Sequence, residues 1–201
     1  IQVTIPNEWE RIAPVNIGVT AGIETTRIAP EWIEKSNMMD KVVVVSEHAK
    51  FGFDSTAYVR TNNNTGEQMD MSCNVPVEVV GYPVRDYDPA DIDLDFKHDF
   101  NYLLMAQWGP RKNLENTIRW WIEENHDEEV GLVIKTSIRN GSLGDREHTE
   151  DRLRSLLSEY DERVCSVYLL HGTLDPEEIS ALYKHPKIKA FIGLSHGEGF
   201  G

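Results

Sequence analysis

The sequence holds no run approaching the roughly 18 consecutive apolar residues of a membrane-spanning helix, so no span is expected. Cysteine is nearly absent. Cys73 and Cys165 are too few for a disulfide framework and lack the paired spacing of a metal-binding cluster, so a reducing, cytoplasmic setting is expected. Positive charge is also scarce: 20 Lys and Arg stand against 34 Asp and Glu, a net charge of −14. Both halves of the chain are acidic. That disfavours nucleic acid and anionic membrane as partners, and makes any phosphate site a local exception. No GxGxxG fingerprint, P-loop lysine, GxSxG elbow or HExxH helix occurs. His48 and His98 have no carboxylate or histidine at ligand spacing, so no metal is expected. Ile1 to Ile5 has neither the basic start nor the cleavage site of a signal peptide. The chain opens in a strand-like run without an initiator methionine, and is expected to be a fragment.

What is present is ordinary for a soluble globular chain: 201 residues, 40% hydrophobic and 27% charged, enough to bury a sizeable core. Short apolar runs alternate with amphipathic stretches, the pattern of βα units around a parallel sheet. Strands are predicted over 15–20, 42–45 and 77–80, with helices over 30–39 and from a Ser46 cap to about Phe53. Residues 86–98, rich in Asp and Pro at their start, read as a linker. It divides a first lobe at 1–85 from a second at 99–201. In the second lobe strands are predicted over 100–106, 130–134, 164–169 and 189–194. Helices are predicted over 112–125, over 147–160 and from an Asp175-Pro176 start.

Four turns follow the strands of the second lobe, at the end where open α/β sheets bind ligands. Ser195-His196-Gly197-Glu198-Gly199-Phe200-Gly201 would let backbone approach a ligand and would face an anion from a helix start; it also reads as a plain glycine-rich turn. Gln107-Trp108-Gly109-Pro110-Arg111-Lys112-Asn113 sets two cations where a helix begins. There they oppose the helix dipole, unless they meet a ligand's phosphates. Solvated surface cations are the alternative. Lys135 offers another cation to the same rim, or merely snorkels. Leu170 and Gly172, in the run to His171-Gly172-Thr173, would hold a base through backbone groups or form a simple turn. In the first lobe, Gly22 and Glu24 follow a strand. Glu24 could position an acceptor hydroxyl or act as a base; a helix-capping or surface glutamate is the alternative.

Ser195 to Gly201, together with Gln107 to Leu114 and His171 to Tyr183, resembles the segments of the retaining GT-B glycosyltransferases of group 1, or family 4. Residues 17–46, with Glu31-Trp32, Asp40 and Ser46-Glu47, resemble the acceptor-side lobe of that family. The resemblance implies an α/β protein of GT-B type: two Rossmann-like lobes with parallel sheets, both truncated. It implies transfer of a sugar from a nucleoside-diphosphate sugar to an acceptor hydroxyl, as in glycan or cell-surface polysaccharide synthesis, with no cofactor beyond the donor. The acceptor, whether glycan, lipid-linked or protein, is not specified. By the same resemblance Glu198 contacts the donor sugar, and Lys112, with Arg111, stabilises the departing diphosphate. The amides near Gly199 and Phe200 support the sugar or phosphates. Gly109, Lys135, Leu170, Gly172, His196 and Gly197 complete the donor side, with Gly22 and Glu24 on the acceptor side. Gln107 stands where the family carries an arginine, and Ala21-Gly22 where many members carry a histidine. A non-catalytic nucleotide-sugar-binding module, or a GT-B-fold epimerase or phosphorylase, is the alternative.

Overall fold

A computed structural model of the chain describes residues 1–22, 25–62 and 65–198. The chain divides into two compact units. One comprises Ile1–Val84 and takes in Gly197 and Glu198; the other is Arg85–His196. Both are α/β, and each has its own four-stranded sheet in which every strand pairing is parallel.

In the first unit the strands are β1 (Gln2–Val3), β2 (Ile17–Thr20), β3 (Lys41–Val44) and β6 (Val77–Val79), in the order β1-β2-β3-β6. Helix α1 (Pro30–Ser36) follows β2 and begins with proline, whose missing N–H costs nothing at that position. Helix α2 (Glu47–Ser55) follows β3, and the Ser46 hydroxyl accepts from the Ala49 amide at 3.1 Å as the sequence leads one to expect. Before β6 the chain makes a hairpin, β4 (Ala57–Thr61) against β5 (Gln68–Ser72). Its strands are short and mostly exposed; Met69 and Met71 alternate with polar residues in β5, but β4 has no such alternation, so periodicity does not reveal the pair. Trp9, Ile28, Ile33, Val42, Val44 and Phe53 are fully buried together.

The second unit has β7 (Asn101–Met105), β8 (Gly131–Thr136), β9 (Ser166–His171) and β10 (Ile188–Phe191), in the order β10-β7-β8-β9. Helix α3 (Leu114–Asn125) links β7 to β8, α4 (Leu143–Leu157) links β8 to β9, and α5 (Pro176–Lys184) links β9 to β10. Alternation along the strands supplies two cores. Leu104, Leu132 and Ile134 pack with Ile118, Trp121 and Ile122 of α3 and Leu153 and Leu156 of α4. Leu103 and Val133 point the other way, to Leu182 of α5 and Phe96. Trp121 is core, whereas Trp120 is exposed.

Residues expected as linker are part of this second core. Ile92 and Leu94 pack beside Phe96, the Ala90 amide donates to the Glu177 carbonyl at 3.0 Å, and Ser180 donates to the Tyr87 carbonyl at 2.6 Å. Helix α4 begins four residues before the predicted start. Ser142 caps it by accepting from the Asp145 amide at 3.3 Å, and Leu143, its exposed first residue, adds nothing to the apolar pattern. At the other end of the sheet, buried Asn101 donates through Nδ2 to the carbonyls of His98 (2.8 Å) and Lys187 (3.0 Å), tying the start of β7 to that of β10.

Close approach dictates one residue in the first sheet. A Cβ on Gly18 would lie 2.6 Å from Trp9 Cζ2, and Trp9 is fully buried. Gly18→Ala is expected to destabilise the first unit by about 1–3 kcal/mol through overpacking, read as a lower urea midpoint at unchanged m-value.

Candidate functional site

The order β10-β7-β8-β9 reverses between β7 and β10. The chain steps from β7 to β8 to β9 in one direction, then returns to the far side of β7. Loops leaving two adjacent strands in opposite directions open a crevice at their carboxyl ends, the place where open α/β sheets take ligands. Two of the segments singled out in the sequence leave those two strands.

After β7, hydrogen bonds extend the pairing with the β8 side: Ala106 N to Lys135 O at 3.2 Å and Trp108 N to Ser137 O at 2.9 Å. Gly109 then leads into a single 3-10 turn, Pro110–Lys112. Asn113 turns the chain into α3 with left-handed angles (φ 52°, ψ 32°), a conformation that asparagine tolerates better than most residues. Its side chain serves both sides of the crevice. Nδ2 donates to the Leu194 carbonyl at 3.1 Å, and Oδ1 accepts from Asn116 at 2.7 Å. The His196 amide donates to the Arg111 carbonyl at 2.9 Å. The loops after β7 and β10 are thus tied at two points. A cavity of about 440 Å³ lies against them, lined among others by Trp108, Gly109, Asn113, Arg152 and His196. Arg152 is committed there, lying 5.0 Å over the Trp108 ring and 2.9 Å from Glu115.

The ends of β8 and β9 meet a few residues away. The Lys135 ammonium donates to the Gly172 carbonyl, and its burial, which disfavours the charged form, lowers its pKa. Leu170 turns its side chain into the α5-side core, so only its backbone is left to meet a ligand. Gly172 has φ +100° with open space around it; conformation rather than room requires glycine there.

A buried hydrogen-bonded pair, not legible as a site in the sequence, underlies these turns. His171 Nε2 donates to Asp145 Oδ2 at 3.1 Å, with the two side chains 5% and 6% exposed. Asp145 also accepts from the amides of Arg139 (3.0 Å) and Gly141 (3.2 Å). Burial alone would raise the Asp145 pKa, but the bonds from His171, Gly141 and Arg139 outweigh it and hold the carboxyl below its ordinary range. The one signal in the sequence was the spacing Ser142-x-x-Asp145, which marks a helix start.

Gly197 and Glu198 group with the first unit, whereas Arg111, Lys112, Lys135, Leu170, Gly172 and His196 belong to the second. Gly22 leaves β2 with φ +85°, and a Cβ there would lie 2.4 Å from that of Ala49 at the start of α2, so its glycine is dictated locally. Glu24, Gly199 and Phe200 lie outside the described residues. Among the described residues no group of three His, Cys, Asp or Glu could hold a metal ion, and no helix is long and apolar enough to cross a membrane.

By sequence, no family model and no curated protein matches the chain. Among solved structures it is similar to an apo structure of OtsA, at 12% identity and a TM-score of 0.48 over 81% of this chain and 43% of that one. It is also similar to trehalose-6-phosphate synthase OtsA, at 14% identity and 0.47 over 83% and 44%. The chain spans less than half the length of these proteins. Overlap of this degree decides nothing about the site, and the architecture rests on the strand order and register above.

The Asp145 carboxyl fixes a sign for stability. Because its folded pKa is depressed, its contribution is complete above the ordinary aspartate value, about 3.9, and is lost as pH falls through the lowered value. Asp145→Asn is expected to flatten that part of the acid limb in urea titrations taken below about pH 5. An unchanged acid limb would contradict the assignment.

Proposed function

We propose that the chain is part of a glycosyltransferase of GT-B type, which moves a sugar from a nucleoside-diphosphate sugar to an acceptor hydroxyl in glycan or polysaccharide synthesis. The observation that carries this reading is the reversal of strand order between β7 and β10, with the Arg111-Lys112 turn and the Ser195-His196 segment on its two sides. Cationic groups at such a crevice suit a diphosphate.

In the proposed reaction the bond from the anomeric carbon to the diphosphate oxygen breaks. The acceptor oxygen bonds to that carbon, and the acceptor hydroxyl gives up its proton. Charge grows on the departing diphosphate. Lys112, with Arg111, stabilises it where it develops, the kind of contact that contributes most to such a step. Glu198 orients the donor sugar, as the family resemblance implies. Backbone groups at Gly109, Gly172, Gly197, Gly199 and Phe200 approach the donor closely, and the Leu170–Gly172 run meets the base. Gly22 and Glu24 belong to the acceptor side. Retention at the anomeric carbon, like the absence of a metal requirement, is inherited from the resemblance and is part of the proposal. Nothing in the chain favours a particular acceptor.

Calorimetric titration with UDP, GDP and ADP tests the donor site. One of the three is expected to bind, and Lys112→Ala to weaken it about tenfold or more through loss of a charge-assisted contact. Equal affinity in the folded variant, checked by circular dichroism, would remove Lys112 from the site. Sugar transfer from a labelled donor separates an enzyme from a binding module. Glu198→Gln is expected to lower turnover by about 10²-fold while diphosphate affinity changes little.

A further inference from the structure

The proposed chemistry gives the Asp145–His171 pair no task. Such a pair is costly to bury unless its hydrogen bonds are met, and here they are. Asp145 sits in the first turn of α4 and reaches two loops at once. Its carboxylate takes the Arg139 and Gly141 amides of the β8–α4 loop and the imidazole that ends β9. Thr136 and His171 are register partners at the last rung between β8 and β9, so the imidazole leaves the sheet where the two loops begin to diverge.

The loops are then in direct contact. A Cβ on Gly141 (φ +69°) would lie 3.2 Å from the Gly172 Cα, which brings the Gly141 turn against the backbone of Gly172 and Thr173. From the sheet side, Lys135 donates to the Gly172 carbonyl. The Gly172 turn is therefore gripped twice, by Lys135 through its own carbonyl and by His171 through Asp145. Glycine in open space at φ +100° has no side-chain packing of its own to fix it. These contacts supply the order that the residue itself lacks.

We propose that Asp145 and His171 are positioning residues for the base end of the donor crevice. They hold the Leu170–Thr173 backbone so that its amides and carbonyls meet a nucleobase in one fixed arrangement. Neither touches the ligand. The proposal rests on the donor-site reading and adds to it the means by which one base is told from another. A base read by backbone groups is discriminated only if those groups do not move, because an unfixed loop pays its ordering entropy at binding and adapts to any base. The diphosphate end has ties of its own, through Asn113 and the His196 amide, and meets the β8–α4 loop at Ser137 and Ile138, ahead of the residues that Asp145 holds.

The experiment compares His171→Ala, Asp145→Ala and Asp145→Asn with the unaltered chain. Titration is with UDP, GDP, ADP and inorganic pyrophosphate, and hydrogen exchange is followed at the Arg139 and Gly141 amides that Asp145 holds. The alanine variants are expected to lose about tenfold in affinity for the preferred nucleoside diphosphate and to discriminate less among the three. Pyrophosphate affinity should stay within about twofold, a split that general destabilisation does not produce. Exchange at both amides should quicken. Asp145→Asn, which keeps an acceptor and a shape of equal size, should retain most of the discrimination and serves if an alanine variant fails to fold. Folded variants with unchanged discrimination would overturn the positioning role while leaving the donor site in place. If the unaltered chain binds pyrophosphate but none of the nucleotides, the base end is wrongly assigned. If it binds nothing, the donor-site reading falls, and the proposal with it.

Discussion

The return of the chain from β9 to the far side of β7 is the constraint on which the second unit depends. Parallel strands can be joined only by crossovers, and crossovers are right-handed in nearly all proteins. Stepping one way from β7 to β8 and β9 therefore places α3 and α4 on one face. Reversing to reach β10 places α5 on the other. Both faces are then covered, so the strands must be apolar on both sides, as the run Leu132-Val133-Ile134 is. The same reversal parts the loops after β7 and β10 and leaves a crevice between them.

Holding that crevice open in a defined shape falls to a few polar side chains rather than to the apolar core. Asn113 spans it, bonding to the Leu194 carbonyl from a left-handed backbone position. Asn101 does the corresponding work at the opposite ends of the same two strands, and leaves room only for glycine at position 131. A Cβ there would lie 1.9 Å from its side-chain oxygen. Asp145 joins the β8 and β9 loops. Apolar burial contributes most of the stability, at about 25 cal/mol per Å² removed from water, but it is non-directional. Directional bonds decide where loop backbone stops, and a ligand site needs that.

Electrostatics sharpen the same division. With a net charge of −14 the chain repels anions over most of its surface. Arg111 and Lys112 sit instead on a short turn ahead of α3, whose N-terminal dipole makes cations unfavourable there. That unfavourable position relative to the helix dipole is the physical reason for reading them as ligand groups. The Lys135 ammonium is engaged by the Gly172 carbonyl, and a structural task accounts for it.

Much of this was legible in the chain's own pattern. The seven strands of the two parallel sheets other than β1, and the five described α-helices, answer to alternation, apolar runs and caps such as Ser46 and Asp175-Pro176. These are local effects, governed by backbone sterics and by side chains within a turn or two. The same is true of the four turns at the strand ends, whose glycines and cations stand out in the sequence. Strand order was not so governed. Nothing local tells β10 to lie beside β7, because that choice depends on which apolar faces meet across nearly 90 residues. The hairpin of β4 and β5 was hidden because its strands are short and mostly exposed, and only β5 alternates. The stretch from Arg85 to Phe96 was hidden as a core element because its apolar residues, Ile92, Leu94 and Phe96, find their partners only on the finished sheet. Asp145 and His171 stand 26 positions apart, and only the register of β8 with β9 brings them within 3.1 Å. The sequence by itself determined the elements and the chemistry at their ends; tertiary structure alone decided which ends meet, since hydrogen bonds between distant residues follow from packing that no short stretch encodes.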